Sequence, residues 1–122
     1  MSRAMVVDDS RTVRLILSRI LRGVGYEVCE AVDGREALTK LAGGEAVSLI
    51  LVDWNMPNLD GLGFVRRLRS DPSQAAVKVM MVTTETEMDR MVMALEAGAN
   101  EYVMKPFTPE VISDKLRLLG AL

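Results

Sequence analysis

Carboxylates follow two of the most apolar runs in this sequence. The run LILV ends at Asp53, and the run AMVV ends at the pair Asp8 and Asp9. If these acids meet in the fold, two carboxylates about 4 Å apart repel by roughly 4 kcal/mol at an effective dielectric of about 20. A cation must then accompany them, and a site of oxygen ligands without histidine or thiolate suits Mg²⁺ or Mn²⁺. Magnesium keeps open coordination positions, which a phosphoryl oxygen can take.

A hydroxyl and an ammonium follow two further apolar runs. Thr83 comes after VKVMMV, and Lys105 comes after YVM. Each polar residue also has an ordinary explanation, since Asp9 can cap a helix, Thr83 can begin a loop and Lys105 can be a solvated charge. Together, polar residues at the ends of four apolar runs favour a common pocket. Asp60 differs, because its place in the turn PNLDG indicates a turn-forming role.

The apolar runs alternate with helical patterns, which predicts a parallel sheet covered by helices on both faces. The first, third and fourth runs are nearly continuous, as expected of strands buried on both sides. The second and fifth are shorter or mixed, which suits edge strands. The predicted strands span residues 4–7, 27–31, 49–52, 77–82 and 102–104.

Five helices are predicted from apolar residues spaced three and four apart. Asp9 or Ser10 can cap the first helix, Asp33 opens the second, and Thr108 with Pro109 begins the fifth. The residues that mark the helices, in chain order, are Val13, Ile16, Leu17, Ile20 and Leu21; Ala37, Leu38 and Leu41; Phe64, Val65 and Leu68; Met88, Met91, Val92 and Leu95; and Ile112, Leu116 and Leu119.

This topology predicts where the polar residues meet. Ligands of an open parallel sheet bind outside the carboxyl ends of the strands, where the strand order reverses. The second strand offers only Val32 and Asp33 at its end. If that strand lies at an edge, the other four strand ends form one pocket with three carboxylates, a hydroxyl and an ammonium.

Composition restricts the class of protein. The 122 residues suffice for one domain, and 49% hydrophobic with 26% charged residues argue against disorder. A net charge of −2 without a basic run argues against nucleic acid or an anionic membrane as the main partner. No apolar segment approaches the roughly 18 residues that span a bilayer, so we expect a cytoplasmic protein.

The histidine and cysteine content restricts the chemistry. The chain has no histidine, which excludes His-containing triads, histidine metal ligands and a phosphohistidine of its own. The single Cys29 cannot form an internal disulfide, and in the alternating stretch EVCE it is expected to be a buried small hydrophobe. The predicted pocket must therefore rely on carboxylate, hydroxyl and ammonium groups.

The same residues carry a resemblance to a known family. Asp8 with Asp9, the run DWNMP that begins at Asp53, Thr83, and Lys105 before a proline resemble the receiver domain of bacterial two-component response regulators over essentially the whole chain. DWNMP followed by NLDG, without any output domain, is most similar to the single-domain chemotaxis members. The resemblance implies a flavodoxin-like α/β receiver fold, with a doubly wound five-stranded parallel sheet of order 2-1-3-4-5 and five flanking helices.

The resemblance assigns a role to each pocket residue. Asp53 accepts a phosphoryl group from the phosphohistidine of a histidine kinase. Asp9 and Asp53 bind Mg²⁺ directly, Asp8 binds it through water, and the backbone carbonyl of Asn55 completes the protein ligands. Lys105 and the metal offset the charge on the transferring oxygens. The peptide bond that follows Lys105 is cis in the family.

The resemblance also implies a switch and an output face. Thr83 would hydrogen-bond a phosphoryl oxygen, and the ring of Tyr102 would swing inward on phosphorylation and reshape the face of the fourth helix, fifth strand and fifth helix. Asn55 and Glu85 would tune the lifetime of the phosphorylated state, and their polar types suggest a short one. The output face would include Met91, Met93, Glu101, Tyr102 and Val103, with Lys115 at its margin, although core filling is the ordinary role of methionine.

The sequence therefore predicts a signalling protein, with one receiver domain over residues 1–122, that phosphorylates and dephosphorylates itself but is not a metabolic enzyme. Its expected partners are a histidine kinase, an output protein such as the flagellar motor switch, and a phosphatase, and it is expected to be a monomer. A phosphate sink, a phosphorelay intermediate and a cell-cycle regulator are alternatives within the same class.

Three alternatives lie outside that class. An aspartyl-phosphate hydrolase is a remote one, because such enzymes generally have a second acid where this chain has Asn55. A phosphorylation-independent interaction module would not need the intact pocket residues. A flavodoxin would repel its cofactor phosphate at Asp8 and Asp9.

Overall fold

The computed structural model describes residues 2–84 and 87–122, and within them strands alternate with helices as the apolar runs predict. The strands are β1 Arg3–Val7, β2 Glu27–Ala31, β3 Leu49–Val52, β4 Lys78–Thr83 and β5 Glu101–Met104. The helices are α1 Arg11–Gly23, α2 Gly34–Ala42, α3 Gly61–Arg69, α4 Met88–Ala97 and α5 Pro109–Leu118. A short 3-10 helix at Pro72–Gln74 was not predicted, because three residues show no periodicity. None of the described helices is both long and apolar enough to cross a membrane.

All five strands form one parallel sheet in the order β2-β1-β3-β4-β5, which confirms the predicted topology. Every residue of β3 is buried, as expected of a central strand with helices on both faces. The outer strands β2 and β5 have mixed burial, which confirms their prediction as edges. Val52 pairs with Val7 on one side and with Met81 on the other, so the carboxyl ends of the three central strands lie side by side.

Apolar clusters fill both sides of the sheet. Because successive side chains of a strand point to opposite faces, Met5 and Val7 belong to one cluster, while Ala4 and Val6 belong to the other. Helices α2, α3 and α4 cover the first cluster, and α1 and α5 cover the second. Trp54 is part of the first cluster and is only 3% exposed.

The apolar pattern predicts α4 but not its buried face. Met88, Val92 and Leu95 are exposed, and Ala94 is the buried residue of this helix. A small side chain at the contact lets the helix approach the sheet, and the longer apolar side chains around it then reach solvent. Cys29 is only half-buried rather than fully buried, because β2 is an edge strand.

Polar side chains cap the helices. Ser10, rather than Asp9, caps α1, since its hydroxyl accepts a hydrogen bond from the backbone amide of Val13 at 3.3 Å. Thr108 caps α5. Asp60 caps α3, where its carboxylate accepts from a backbone amide at 2.8 Å. These caps leave Asp9 without a capping role.

Asp33 joins the start of α2 to the loop after β3. Its Oδ1 accepts from the backbone amide of Glu36 at 2.8 Å, and its Oδ2 accepts from the side-chain amide of Asn58 at 2.7 Å. Asn58 has a φ of 67°, a left-handed conformation in which asparagine is enriched. The hydrogen bonds from Glu36 and then Asn58 lower the pKa of the Asp33 carboxyl.

Replacing Asp33 with alanine is expected to lower the free energy of unfolding by about 1–2 kcal/mol, because the cap and the bond to Asn58 are both lost. A carboxyl with a lowered folded pKa contributes stability above its ordinary pKa of 3.8 and loses it as the pH falls below that value. Urea unfolding from neutral into acid pH should therefore show a steeper acid loss in the wild type than in Asp33→Asn, which keeps the cap. Equal acid dependence in the two proteins would contradict this account.

Candidate functional site

The carboxyl ends of four strands bring the predicted pocket residues to one edge of the sheet. Asp8 and Asp9 follow β1, Asp53 follows β3, Thr83 ends β4, and Lys105 follows β5. A carboxylate oxygen from each of the three aspartates lies within 4.8 Å of the others. The structure therefore places the three acids in one cluster.

Asp8 is held from two sides within this cluster. Only 1% of its surface is exposed, its Oδ1 accepts from the backbone amide of Ser10 at 2.8 Å, and its Oδ2 accepts from the Lys105 ammonium at 2.9 Å. Burial raises the pKa of the Asp8 carboxyl, and the hydrogen bonds from Lys105 and Ser10 offset only part of that effect. Asp8 thus has one fixed orientation, and the positive charge of Lys105 opposes the effect of burial on its pKa.

Lys105 lies between Asp8 and Asp53. Asp53 is buried, its Oδ1 accepts from the backbone amide of Trp54 at 2.7 Å, and its Oδ2 accepts from Nζ of Lys105 at 3.3 Å. The Lys105–Pro106 peptide bond is cis. Burial lowers the pKa of the Lys105 ammonium, but the hydrogen bonds and charges of Asp8 and Asp53 outweigh burial, so the pKa is raised. The lysine is therefore a fixed positive charge.

Asp9 is the exposed member of the cluster. Because Ser10 caps α1, the Asp9 carboxylate is not used as a cap, and within residues 2–84 and 87–122 no hydrogen bond holds it. Three carboxylates then face one ammonium, which leaves an excess of negative charge. An all-oxygen donor set of this charge fits Mg²⁺ or Mn²⁺. The cluster is able to hold a divalent metal ion.

Close backbone contacts shape the loop after Asp53. A Cβ atom on Gly61 would lie 2.1 Å from the carbonyl oxygen of Asp53, so only glycine fits at this position. The Gly61 amide also donates a hydrogen bond to the Trp54 carbonyl at 2.8 Å. These contacts fold the loop back onto the end of β3. Asn55, whose carbonyl is a predicted metal ligand, is an exposed residue of this loop.

Thr83 lies at the buried end of β4. It is 0% exposed, and its backbone carbonyl accepts a hydrogen bond from the Lys105 amide at 2.8 Å. The pairing of β4 with β5 therefore places Thr83 beside the lysine that contacts Asp53. Glu85, predicted to tune the lifetime of the phosphorylated state, lies outside the described residues.

The predicted output face contains an apolar groove of about 440 Å³. Residues from α4, β5 and α5 line it, among them Met91, Tyr102, Val103 and Lys115. Lys115 donates a hydrogen bond to the Glu101 carboxylate at 3.3 Å, so an ion pair borders the groove. This face therefore combines an apolar centre with charged edges.

Tyr102 and Val103 are buried parts of that face. Their exposed fractions are 6% and 3%, and they belong to the apolar clusters on opposite sides of the sheet. Met93 is more exposed, at 40%. The Val103 side chain is therefore almost inaccessible from solvent at this face.

Arg14 is a site residue that the sequence pattern does not indicate. It belongs to α1, yet its Nη1 donates a hydrogen bond to the backbone carbonyl of Asp8 at 2.7 Å. A charged residue on an amphipathic helix is ordinarily expected to face solvent. The sequence gives only one weak sign of this contact, which is that Arg14 follows Asp8 by six residues. Whether the two residues meet depends on how α1 packs against the sheet.

The fold and the site together define a class of protein. Residues 4–117 match the family described as the response regulator receiver domain, so the chain belongs to that family. Receiver domains are signalling domains. The acidic cluster at the end of a doubly wound sheet agrees with this family assignment.

Individual relatives extend this result. The chemotaxis protein CheY1 of Helicobacter pylori is 42% identical over 118 residues, which is 96% of this chain and 95% of that protein. The chemotaxis protein CheY homolog of Campylobacter jejuni is 41% identical over 93% of this chain and 88% of that protein. The solved structure of the chemotaxis response regulator CheY4 of Vibrio cholerae has 36% identity and a TM-score of 0.89, and the match covers 98% of both chains. The chain is thus similar to chemotaxis proteins over nearly their full length.

Proposed function

We propose that this protein is a single-domain chemotaxis response regulator over residues 1–122, which accepts a phosphoryl group on Asp53 from the phosphohistidine of a histidine kinase. The cluster of Asp8, Asp9 and Asp53 around the Lys105 ammonium carries the proposal. The relatives support the chemotaxis assignment, since CheY1 of Helicobacter pylori matches this chain over 95% of its length. A monomeric, cytoplasmic protein is part of the proposal.

Phosphoryl transfer uses groups that already surround Asp53. A carboxylate oxygen of Asp53 attacks the phosphorus, the bond from phosphorus to the donor imidazole nitrogen breaks, and an acyl phosphate forms on Asp53. The hydrogen bond from the Trp54 amide orients the carboxylate during the attack. Lys105, 3.3 Å from Asp53, donates to a phosphoryl oxygen on which negative charge collects, and Thr83 donates to another. Bound Mg²⁺ supplies further positive charge to those oxygens.

The hydrogen bonds of the three acids agree with their proposed metal roles. Asp8 already accepts bonds from Ser10 and Lys105, which suits contact with the metal through a water. Asp9 is exposed and without a hydrogen bond in the described part of the chain, which suits direct ligation. Asp53 would be the second direct ligand, and the Asn55 carbonyl would complete the protein ligands.

The proposed signal is a change in protein binding. Thr83 moves toward the phosphoryl group, and the position of the Tyr102 ring changes the groove between α4, β5 and α5. The proposed partner at this groove is a flagellar motor switch protein, which would contact residues such as Met91 and Glu101. Asn55 and Glu85 are polar, which supports a short-lived acyl phosphate, and a half-life of hours for the trapped phosphoprotein would oppose this part of the proposal.

A small acyl phosphate tests the chemistry without a partner kinase. Incubation with acetyl phosphate and Mg²⁺ should add one phosphoryl group, which peptide mass spectrometry should locate on Asp53. Chelation of Mg²⁺ before the incubation should prevent the modification. An unmodified protein under these conditions would refute the proposal, and sustained hydrolysis of many phosphate monoesters would indicate a hydrolase instead.

A pulldown with and without beryllofluoride, a mimic of the phosphoryl group, tests the output. The chemotaxis assignment predicts that a purified motor switch protein binds the beryllofluoride form more tightly than the free form. Equal binding of the two forms, with phosphorylation intact, would refute the motor role. A phosphate sink, a phosphorelay intermediate or a cell-cycle regulator would then be the remaining assignments.

A further inference from the structure

Arg14 connects α1 to the acidic cluster and to the edge strand β2. Its Nη1 donates to the Asp8 carbonyl at 2.7 Å, and its Nε donates to the carboxylate of Glu30 at 3.1 Å. Only 13% of the Arg14 side chain is exposed, compared with 39% of the Glu30 side chain. The guanidinium is therefore largely enclosed, with one partner on the metal-binding loop and one on β2.

The Asp8 carbonyl belongs to the peptide bond between Asp8 and Asp9. Because a peptide unit is planar, a hydrogen bond to that carbonyl also limits the backbone orientation of Asp9. The amide of Asp8 is fixed separately, since it donates to the carbonyl of Ala31 at 3.1 Å. The end of β2 thus holds Asp8 on both sides, through Ala31 at its amide and through Glu30 and Arg14 at its carbonyl.

Asp9 depends on this backbone support more than the other two acids do. Asp8 and Asp53 each accept two hydrogen bonds through their carboxylates. The Asp9 carboxylate accepts none from the part of the chain that the structure describes, although it lies within 4.8 Å of the other two. Its direction is set by the backbone from which it projects.

We infer that Arg14 is a positioning residue for the metal site: it fixes the peptide between Asp8 and Asp9 so that the Asp9 carboxylate faces Asp53, and Glu30 holds the guanidinium in place. The inference rests on the proposed function, since it needs Mg²⁺ to bind at these acids. Residues that orient metal ligands from behind commonly change metal affinity by about 10- to 100-fold when they are replaced.

A simple ion pair with Glu30 is the competing explanation of Arg14. Exposed ion pairs contribute little, and Glu30 is more than one-third exposed, so that role alone predicts almost no effect on metal binding. The loss of the arginine charge and the loss of its positioning role would change the affinity for Mg²⁺ in opposite directions. Removing a positive charge near three carboxylates would by itself tighten Mg²⁺ binding, so weaker binding in an Arg14 variant isolates the geometric contribution.

The test compares Arg14→Gln and Arg14→Lys with Arg19→Gln, which removes an exposed arginine from the same helix. Mg²⁺ affinity is measured by calorimetry, and the rate of Asp53 phosphorylation by acetyl phosphate is measured across Mg²⁺ concentrations. Arg14→Gln should raise the dissociation constant for Mg²⁺ about tenfold. Its rate at saturating Mg²⁺ should stay close to the wild-type rate, because Lys105 and Asp53 are unchanged. Arg19→Gln should bind Mg²⁺ at least as tightly as the wild type.

Arg14→Lys keeps the charge but loses the planar guanidinium that reaches the Asp8 carbonyl and Glu30 through two separate nitrogens. It should weaken Mg²⁺ binding by less than Arg14→Gln does, and it supplies the result if Arg14→Gln does not fold. Unchanged or tighter Mg²⁺ binding in the folded Arg14 variants would overturn the inference while wild-type phosphorylation upholds the proposed function. A wild-type protein that neither binds Mg²⁺ nor becomes phosphorylated would overturn both.

Discussion

An Asp53→Asn variant is expected to keep the fold and to lose all detectable phosphorylation by acetyl phosphate. The amide has no anionic oxygen with which to attack phosphorus, whereas its carbonyl oxygen can still accept the hydrogen bond from the Trp54 amide. The residues of β3 before it remain buried, so the strand is unaffected. Intact-protein mass spectrometry measures the loss, and circular dichroism with thermal unfolding measures the fold.

The same substitution should also change how the protein responds to Mg²⁺. Two unit charges within 4.8 Å of each other repel by about 3 kcal/mol or more at an effective dielectric of about 20, and Asp53→Asn removes this repulsion from two acids while it weakens one contact with Lys105. The metal-free variant should therefore unfold at the same temperature as the wild type or at a higher one. Added Mg²⁺ should raise that temperature less than it does in the wild type, because one ligand is missing.

Asp60→Asn is the matched control for this prediction. It makes the same chemical change in the same loop, and asparagine caps a helix about as well as aspartate, so α3 should keep its cap. This variant should become phosphorylated like the wild type. Phosphorylation of Asp53→Asn at the wild-type rate would show that the proposed phosphoacceptor is wrong.

The central part of the sheet could be predicted because its strands are apolar on both faces. The runs before Asp53 and Asp8 have no polar residue with which a solvent-exposed face could form, and the structure shows them as β3 and β1. The predicted bounds of β2 and β3 agree with the structure, those of β1 and β5 differ by one residue at one end, and β4 is shifted by one residue at both ends. The order of the strands came from the resemblance, since periodicity carries no information about which strands are neighbours.

The buried face of α4, which was not predicted, and the burial of Cys29, which was predicted wrongly, both depend on how elements pack. The spacing of Met88, Val92 and Leu95 shows that α4 is a helix, but the side of a helix that faces the sheet depends on how closely it approaches. Ala94 permits that approach, and its small side chain gives a weak signal in the sequence. Cys29 alternates like a buried strand residue, but burial also requires a neighbouring strand on each side, which an edge strand lacks.

Some parts of the candidate site could also be predicted from the sequence, and others could not. Its acids, hydroxyl and ammonium follow directly after apolar runs, so their positions could be read from the sequence once a parallel sheet was assumed. The supporting contacts could not be read in this way. The contact between Arg14 and Asp8 joins a side chain of α1 to the backbone that follows β1. The contact between Asp33 and Asn58 joins two loops that lie 25 residues apart in the sequence. Neither contact leaves a periodic pattern.

Replacing Lys105 with methionine is expected to slow phosphorylation of Asp53 by about 100- to 1,000-fold, the usual effect of removing one donor to a developing oxyanion. The side chain keeps a similar length, so the loss reports on the ammonium. Michaelis kinetics with acetyl phosphate at saturating Mg²⁺ measure it. Lys115→Met is the control, since it removes a half-buried partner of Glu101 outside the acidic cluster and should leave the phosphorylation rate unchanged.

Without metal, Lys105→Met should also be destabilised, and the effect should depend on pH. Asp8 is almost fully buried and loses its ammonium partner, which further raises its pKa above the ordinary 3.8. A carboxyl with a raised folded pKa binds its proton more tightly in the folded state, so stability falls as the pH rises above 3.8 toward the raised value. Denaturant unfolding in chelator should show the variant close to the wild type in acid and less stable near neutral pH.

Mg²⁺ separates the two roles of Lys105. The ion can neutralise the carboxylates of Asp8 and Asp53 in the resting protein, so it should restore most of the stability that Lys105→Met loses. It cannot restore the rate, because the lysine's own hydrogen bond to the transferring oxygen is still missing. If saturating Mg²⁺ instead brings the phosphorylation rate back to that of the wild type, the lysine acts only as a counter-charge for the acids, and the geometry that places it 3.3 Å from Asp53 serves folding rather than phosphoryl transfer.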